Sequence, residues 1–138
     1  MTKLNRAVWI LQLVLAVFFA LASGAPKLLI PAEQLPMPIP LPQAFLWFIG
    51  VCEVLGGLGL ILPGLTRVRP GLTSLAAACL AALTVCAAVY QLLADQPANA
   101  VFALVIGAVA AGVAYARWRW VPLRSAARRY PVFAPPAL

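Results

Sequence analysis

The chain has 138 residues, of which 64% are hydrophobic and 9% are charged, and its formal net charge is +7. Soluble domains contain roughly 25% charged residues, and a chain of about this length buries only about two-thirds of its surface on folding. The composition therefore excludes a water-soluble domain and indicates a single small integral membrane protein.

Four long apolar runs follow one another along the chain, over residues 7–22, 44–62, 72–94 and 98–116. Each is close to the ~20 residues that a helix needs to cross a ~30 Å hydrocarbon core, and none alternates as a membrane-spanning strand does. The first run resembles a signal peptide but is long for one, and further runs follow, so we interpret it as a retained span. We expect Gly24 and Pro26 to break or kink it near its end. The sequence predicts an all-α, four-helix membrane bundle.

The connectors and the tail differ in chemistry. Residues 31–42 include five prolines, which forbid a regular helix, and we expect this connector to lie on the bundle surface or at the lipid interface. Residues 63–71 form a short turn with two arginines between the second and third runs. Asp95 lies in a tight hairpin between the third and fourth runs. We assign the bundle to residues 1–122 and a basic, proline-containing tail to residues 123–138.

The basic residues predict the orientation of the bundle. Nine of the ten Lys and Arg residues fall on the side that holds both termini, and Lys27 alone falls on the other. Because cytoplasmic loops are rich in Lys and Arg, we expect both termini in the cytoplasm, in a bacterial inner (plasma) membrane. We interpret the basic and aromatic segment 117–130 as one that is attracted to anionic lipid headgroups, rather than as one that binds nucleic acid. Four tryptophans near span ends are expected to be interfacial anchors: Trp9, Trp47, Trp118 and Trp120.

The residue types also limit the chemistry. The chain has no histidine, and its three cysteines, Cys52, Cys79 and Cys86, lie singly inside apolar runs. A thiol in that setting is usually a small packing residue. No metal site is expected, because the usual ligands and spacings are missing. A redox enzyme that is complete by itself is therefore not expected.

Glu53 is the one ionisable residue of the second run and lies at its centre. A carboxylate in hydrocarbon needs a partner, a proton or a water-filled pocket. Gly50, Gly56 and Gly57 lie three or four positions away, so a neighbouring helix can approach this face closely and Glu53 should point inward. Together with Cys52 these glycines form a predicted packing stripe. A structural hydrogen bond and a binding or proton-handling role both remain open.

Lys27 is the candidate counter-charge for Glu53. It lies about eleven residues beyond the middle of the first run, which corresponds to ~16 Å along a helix. A direct pair would then require the end of the run to fold inward, or a water-lined pocket, and pairing stays open. Gln12, on the other half of the first run, is interpreted as a packing contact. Further polar residues that could line a pocket with Lys27 and Glu53 are Thr84, Tyr90, Gln91 and Asn99.

Two short motifs resemble the DoxX and DoxX-like membrane proteins, and the similarity covers about Val8 to Ala116. The pattern Gly-x-x-Lys-Leu and the pattern Ile-Gly-x-x-Glu-x-x-Gly-Gly are matched by Gly24, Lys27, Leu28, Ile49, Gly50, Glu53, Gly56 and Gly57. The resemblance implies a four-helix membrane bundle. Relatives include subunits of membrane oxidoreductases, such as thiosulfate:quinone oxidoreductase, and proteins of redox stress responses. Members often carry a histidine near the end of the third span, where this chain has Tyr90 and Gln91, so histidine-dependent proton or metal chemistry is in doubt.

The leading hypothesis is an accessory or anchoring subunit of a membrane redox system, without catalysis of its own. In this hypothesis Lys27 and Glu53 orient the polar end of a quinone or another lipophilic molecule, and a glycine-lined groove takes its apolar body. The expected partners are the bilayer and a membrane or peripheral redox protein, and a homo-oligomer is left open. Two alternatives remain: a small proton-coupled carrier, and a purely structural bundle.

Overall fold

The computed structural model describes residues 2–123, and these form four helical spans without a β-strand. Each span is long and apolar enough to cross a membrane, which confirms the predicted fold class. In chain order they are span 1 (Lys3–Leu29), span 2 (Gln43–Thr66), span 3 (Gly71–Leu93) and span 4 (Pro97–Trp120). The predicted tail lies outside the described residues except for Leu123.

Span 1 is wound in two ways. It begins as an α-helix over Lys3–Val17, continues as a π-helix over Phe18–Gly24 and returns to α-helix over Ala25–Leu29. A break at Gly24 and Pro26, one of the two outcomes expected there, is wrong, because the helix runs through both residues. A kink stays a prediction. Pro26 is tolerated because it occupies the first turn of the last α-helical segment, where a missing N–H costs little. Span 4 also ends in a π-helical turn, over Ala116–Trp120.

The bundle core lies where the four spans meet. Span 4 packs chiefly against span 3, and span 2 packs against spans 1 and 3. The core includes Leu15, Phe19, Leu60, Leu80 and Val113, all nearly inaccessible. The outward faces carry large exposed apolar side chains along all four spans, as helices in contact with lipid do. The polar groups described below are therefore enclosed between helices.

The bundle has two chemically distinct ends. The basic end holds the start of span 1, the connector between spans 2 and 3, and the end of span 4. The loop end holds the connector 30–42 and the hairpin between spans 3 and 4.

At the loop end, Tyr90 Oη donates a hydrogen bond to Ile39 O (2.6 Å) and accepts one from Ile39 N–H (3.1 Å). Apart from a 3-10 turn over Ala32–Gln34, the connector is irregular, as its prolines predict, and Tyr90 fastens it to the end of span 3.

Candidate functional site

Glu53 lies at the interface between spans 1 and 2 and is 7% exposed. Two glycines flank it on the same face of span 2, about two helical turns apart. A Cβ added at Gly50 would lie 3.1 Å from Gly24 O, and one at Gly57 would lie 2.9 Å from Ala16 O. The absence of side chains at these two positions brings the backbone of span 1 close to Glu53.

Three polar side chains form one connected group, which we call the Lys27–Glu53 site: Ser23, Lys27 and Glu53. Lys27 Nζ donates to Glu53 Oε2 at 2.8 Å, and Ser23 Oγ donates to Glu53 Oε1 at 2.9 Å. Lys27 Nζ also donates to Ser23 Oγ at 2.8 Å and to Ser23 O at 3.0 Å. The ammonium donors of Lys27 and both carboxylate oxygens therefore have partners within the chain.

The direct ion pair corrects the depth argument made from the sequence. Aligning the centres of the first two runs had placed Lys27 ~16 Å away from Glu53 along the helix axis. The glycine contacts show a different alignment, because Gly50 lies beside Gly24 and Gly57 lies beside Ala16. Glu53 thus faces span 1 between these two levels, near Ser23, and the long side chain of Lys27 covers the remaining distance. The end of span 1 does not fold inward.

The π-helix contributes to this alignment. Ser23 lies inside the π-helical segment, and Lys27 follows it by one α-helical turn. A π-helical turn holds more residues than an α-helical turn, so it rotates everything that follows about the helix axis. In this chain the rotation leaves Ser23 and Lys27 on the face that meets Glu53. Ser23 was missed in the sequence analysis, although a serine four residues before a lysine on a helix is a detectable signal.

The Lys27–Glu53 ion pair is mostly buried between the spans but remains partly accessible. The side chain of Lys27 is 25% exposed and that of Glu53 is 10% exposed. Attraction between opposite charges is strong in such surroundings, whereas removing each charge from water is costly. The site offers the N–H donors of Lys27, the carboxylate of Glu53 and the hydroxyl of Ser23. Together these groups can bind an oxygen acceptor and can hold or pass a proton.

The other predicted pocket residues are not part of the Lys27–Glu53 site. Asn99 Nδ2 donates to Gln96 Oε1 at 2.7 Å, and Thr84 Oγ1 donates to Ala81 O at 2.7 Å within its own helix. Tyr90 is hydrogen-bonded to the connector. Gln91 Oε1 is buried and has no hydrogen-bond partner within residues 2–123. None of these four residues is hydrogen-bonded to Lys27 or Glu53 in the part of the chain that the structure describes.

The predicted packing stripe on span 2 serves two neighbours rather than one. Gly50 and Gly57 face span 1, whereas a Cβ at Gly56 would meet the side chain of Leu80 on span 3 at 2.6 Å. Cys52 is a free, half-buried thiol. Span 2 is therefore held closely on two sides.

A second buried polar group lies at the basic end, and the sequence analysis did not find it. Arg117 is only 4% exposed. Its Nε donates to Gln12 Oε1, its Nη1 donates to Asn5 Oδ1 (2.7 Å) and Val121 O (3.1 Å), and its Cζ lies 5.2 Å from the centre of the Trp9 ring. Gln12 Nε2 in turn donates to Leu60 O at 2.5 Å, so Gln12 does join helices.

This group corrects one interpretation. Arg117 is not an exposed residue of a basic segment, because its side chain is buried between spans 1 and 4. Trp9 is half-buried against Arg117, and its role as an interfacial anchor stays a prediction. The pattern Arg-Trp-Arg-Trp looks uniformly surface-exposed, and nothing in it indicates which arginine turns inward. Trp47, Trp118 and Trp120 are exposed, as expected.

Four apolar spans with charged side chains enclosed between them define an integral membrane helical bundle. The model of the DoxX-like family matches residues 10–113, which is most of the chain. The protein belongs to the DoxX-like family, and the resemblance carried by the two motifs is confirmed. Comparisons with curated proteins and with solved structures found no match.

Proposed function

We propose that this protein is an accessory or anchoring subunit of a membrane redox system, and that it binds a quinone or another lipophilic molecule at the Lys27–Glu53 site. One observation carries the proposal: a lysine and a carboxylate are paired between two apolar spans, with part of Lys27 still exposed. Ionisable residues inside membrane spans commonly mark ligand and proton pathways. A π-helical segment beside them supports the same conclusion, because such segments are frequent at functional sites.

The chemistry of the site suits the polar end of a quinone. Lys27 Nζ can donate a hydrogen bond to a quinone carbonyl oxygen in place of Ser23 O, and the apolar spans beside it can take the isoprenoid tail. Glu53 and Ser23 are hydrogen-bonded to each other, so they can hold a proton close to that oxygen. In this proposal the electrons come from a partner protein, and this chain contributes binding and orientation.

The proposal is tested by isolating the full chain from its native membrane and measuring the quinone that remains bound, by mass spectrometry. Glu53→Gln removes the charge that holds Lys27 in place, so we expect several-fold less quinone per protein. The matched control is Glu33→Gln, the same substitution in the exposed connector, which should retain the wild-type amount. Equal quinone content in Glu53→Gln and wild type, with both folded by circular dichroism, would exclude the site from binding.

A purely structural role is the second candidate, and a specific observation favours it. The donors of Lys27 and the oxygens of Glu53 all have hydrogen-bond partners within the chain, so the group can hold spans 1 and 2 together without binding a ligand. In that case wild-type protein retains no quinone in the same experiment. Glu53→Gln then changes only the thermal stability.

A further inference from the structure

The guanidinium of Arg117 is a buried cation that has no carboxylate partner among the residues that the structure describes. The chain has only three acidic residues. Glu53 is paired with Lys27, and Glu33 and Asp95 lie in connectors at the loop end of the bundle. The partners of Arg117 at the basic end are the neutral oxygens and the aromatic ring described above. Its positive charge is therefore not compensated by an acidic side chain.

One side of the guanidinium also lacks a hydrogen-bond partner among residues 2–123. The donors on Nε and Nη1 are used by Gln12, Asn5 and the carbonyl of Val121. Nη2 is buried and has no acceptor within that part of the chain. A buried charge with unsatisfied donors is costly, and an anionic oxygen would relieve both the charge and the missing hydrogen bonds.

A cavity of about 490 Å³ borders Arg117, between the start of span 3 and the end of span 4. Arg117 is the one charged side chain among the described residues that line it, and its neighbours include Gly71, Leu75, Trp118 and Leu123. The volume is typical of small-molecule sites. The start of span 3, a helix of 23 residues, opens on the same cavity at Gly71, and a helix N-terminus favours negative charge. The cavity thus combines a cationic side chain with mostly apolar walls.

We propose that this cavity binds a phosphate group, with Arg117 as its cationic partner. An anionic phospholipid offers this chemistry together with an acyl chain that matches the apolar walls, and free phosphate offers the anion alone. Phosphatidylglycerol suits the site better than phosphatidylcholine, whose phosphate already has a cation beside it. The site lies at the opposite end of the bundle from the Lys27–Glu53 site and does not depend on the function proposed for that site.

The test uses the full chain in nanodiscs of phosphatidylcholine, with and without added phosphatidylglycerol. Retained lipid is counted by native mass spectrometry, and the Tm is measured in parallel. We expect wild type to retain phosphatidylglycerol preferentially and Arg117→Gln to lose about tenfold or more of that preference, as for a lost charge-assisted hydrogen bond. Arg119→Gln is the matched control, because Arg119 is exposed and does not line the cavity. It should retain the wild-type preference.

A further arm separates the two sources of phosphate. Phosphatidylcholine nanodiscs are titrated with inorganic phosphate, and chloride at equal ionic strength is the control. A Tm rise that Arg117→Gln abolishes would identify free phosphate as a ligand of the site. Wild type that shows neither a lipid preference nor a response to phosphate would overturn the proposal, as would an Arg119→Gln variant that loses as much as Arg117→Gln.

A second variant keeps the test decisive if Arg117→Gln unfolds, since Arg117 also links spans 1 and 4. Gly71 lines the cavity, and a Cβ added there meets no heavy atom within 4 Å. Gly71→Leu should therefore fold, fill part of the cavity and lower phosphatidylglycerol retention. Gly112→Leu is its control, because a Cβ at Gly112 also meets open space but Gly112 lies outside the cavity. Equal retention by both variants and wild type would contradict the assignment.

Discussion

Lys27 and Arg117 are both cations enclosed by apolar spans, but their charges are balanced in different ways. Lys27 has a carboxylate at 2.8 Å, so its site is close to neutral as a whole. Arg117 is held by amide and carbonyl oxygens and by the ring of Trp9, so its site keeps a positive charge. The first site therefore suits a neutral polar ligand such as a quinone carbonyl, and the second suits an anion.

At the residue scale, removing one member of the ion pair should destabilise the bundle more than removing both. Lys27→Met leaves Glu53 buried without its cation, a loss of about 3–5 kcal/mol for a fully buried pair and less here, because part of Lys27 is exposed. Lys27→Met/Glu53→Leu removes the stranded charge and should recover most of the Tm, measured by thermal unfolding in detergent. A double variant no more stable than Lys27→Met would show that Glu53 is not stranded by the loss of Lys27.

At the element scale, span 2 owes its position to its glycines. Gly50 and Gly57 face span 1, whereas Gly56 and Gly59 face Leu80 and Ala76 of span 3. Between helices in lipid the hydrophobic effect contributes little, and close van der Waals packing takes its place. The same close approach places Glu53 within reach of Ser23 and Lys27, so packing and site formation depend on the same residues.

Gly57→Ala should lower the stability of the bundle. The new Cβ would lie 2.9 Å from Ala16 O, a backbone atom that cannot rotate away, and overpacking of this kind costs about 1–3 kcal/mol. Gly112→Ala is the control, because its Cβ meets open space, and it should be neutral or stabilising by up to about 1 kcal/mol. The measurement is the unfolding midpoint in detergent. Equal midpoints for the two variants would refute a close contact at Gly57.

The helices themselves were predictable from the sequence, whereas their winding was not. Four apolar runs of near-membrane length are sufficient to define four spans. The π-helix at Phe18–Gly24 changes which carbonyl each N–H meets, and the apolar residues Phe-Phe-Ala-Leu-Ala favour that arrangement no more than an ordinary α-helix. For this reason helical spacing alone could not predict that Ser23 and Lys27 lie on the face of span 1 that meets Glu53.

At the scale of the whole molecule, the two ends of the bundle differ in charge, and this asymmetry predicts the orientation. Arg67, Arg69, Arg117 and Arg119 lie at the basic end together with Lys3 and Arg6, and Lys27 lies toward the loop end. Because basic residues are enriched on the cytoplasmic side, the basic end should face the cytoplasm. The phosphate site proposed at Arg117 would then meet the cytoplasmic leaflet.

Cysteine labelling in intact cells tests this orientation. With the three native cysteines replaced by alanine, Glu33→Cys at the loop end should react with a membrane-impermeant maleimide. Val68→Cys at the basic end should react only after the membrane is permeabilised. Both positions are exposed, so access depends on the side of the membrane. The reverse pattern would overturn the predicted orientation.

The sequence by itself determined the membrane class, the four spans, the family and the inward position of Glu53 beside its glycines, because these depend on composition, run length and local spacing. Only the tertiary structure decided which groups meet. The axial alignment of spans 1 and 2 brings Lys27 to Glu53, and the inward turn of Arg117 brings it to Gln12 and Asn5. Both depend on how side chains of distant segments fit together, and no local pattern along the chain encodes that fit.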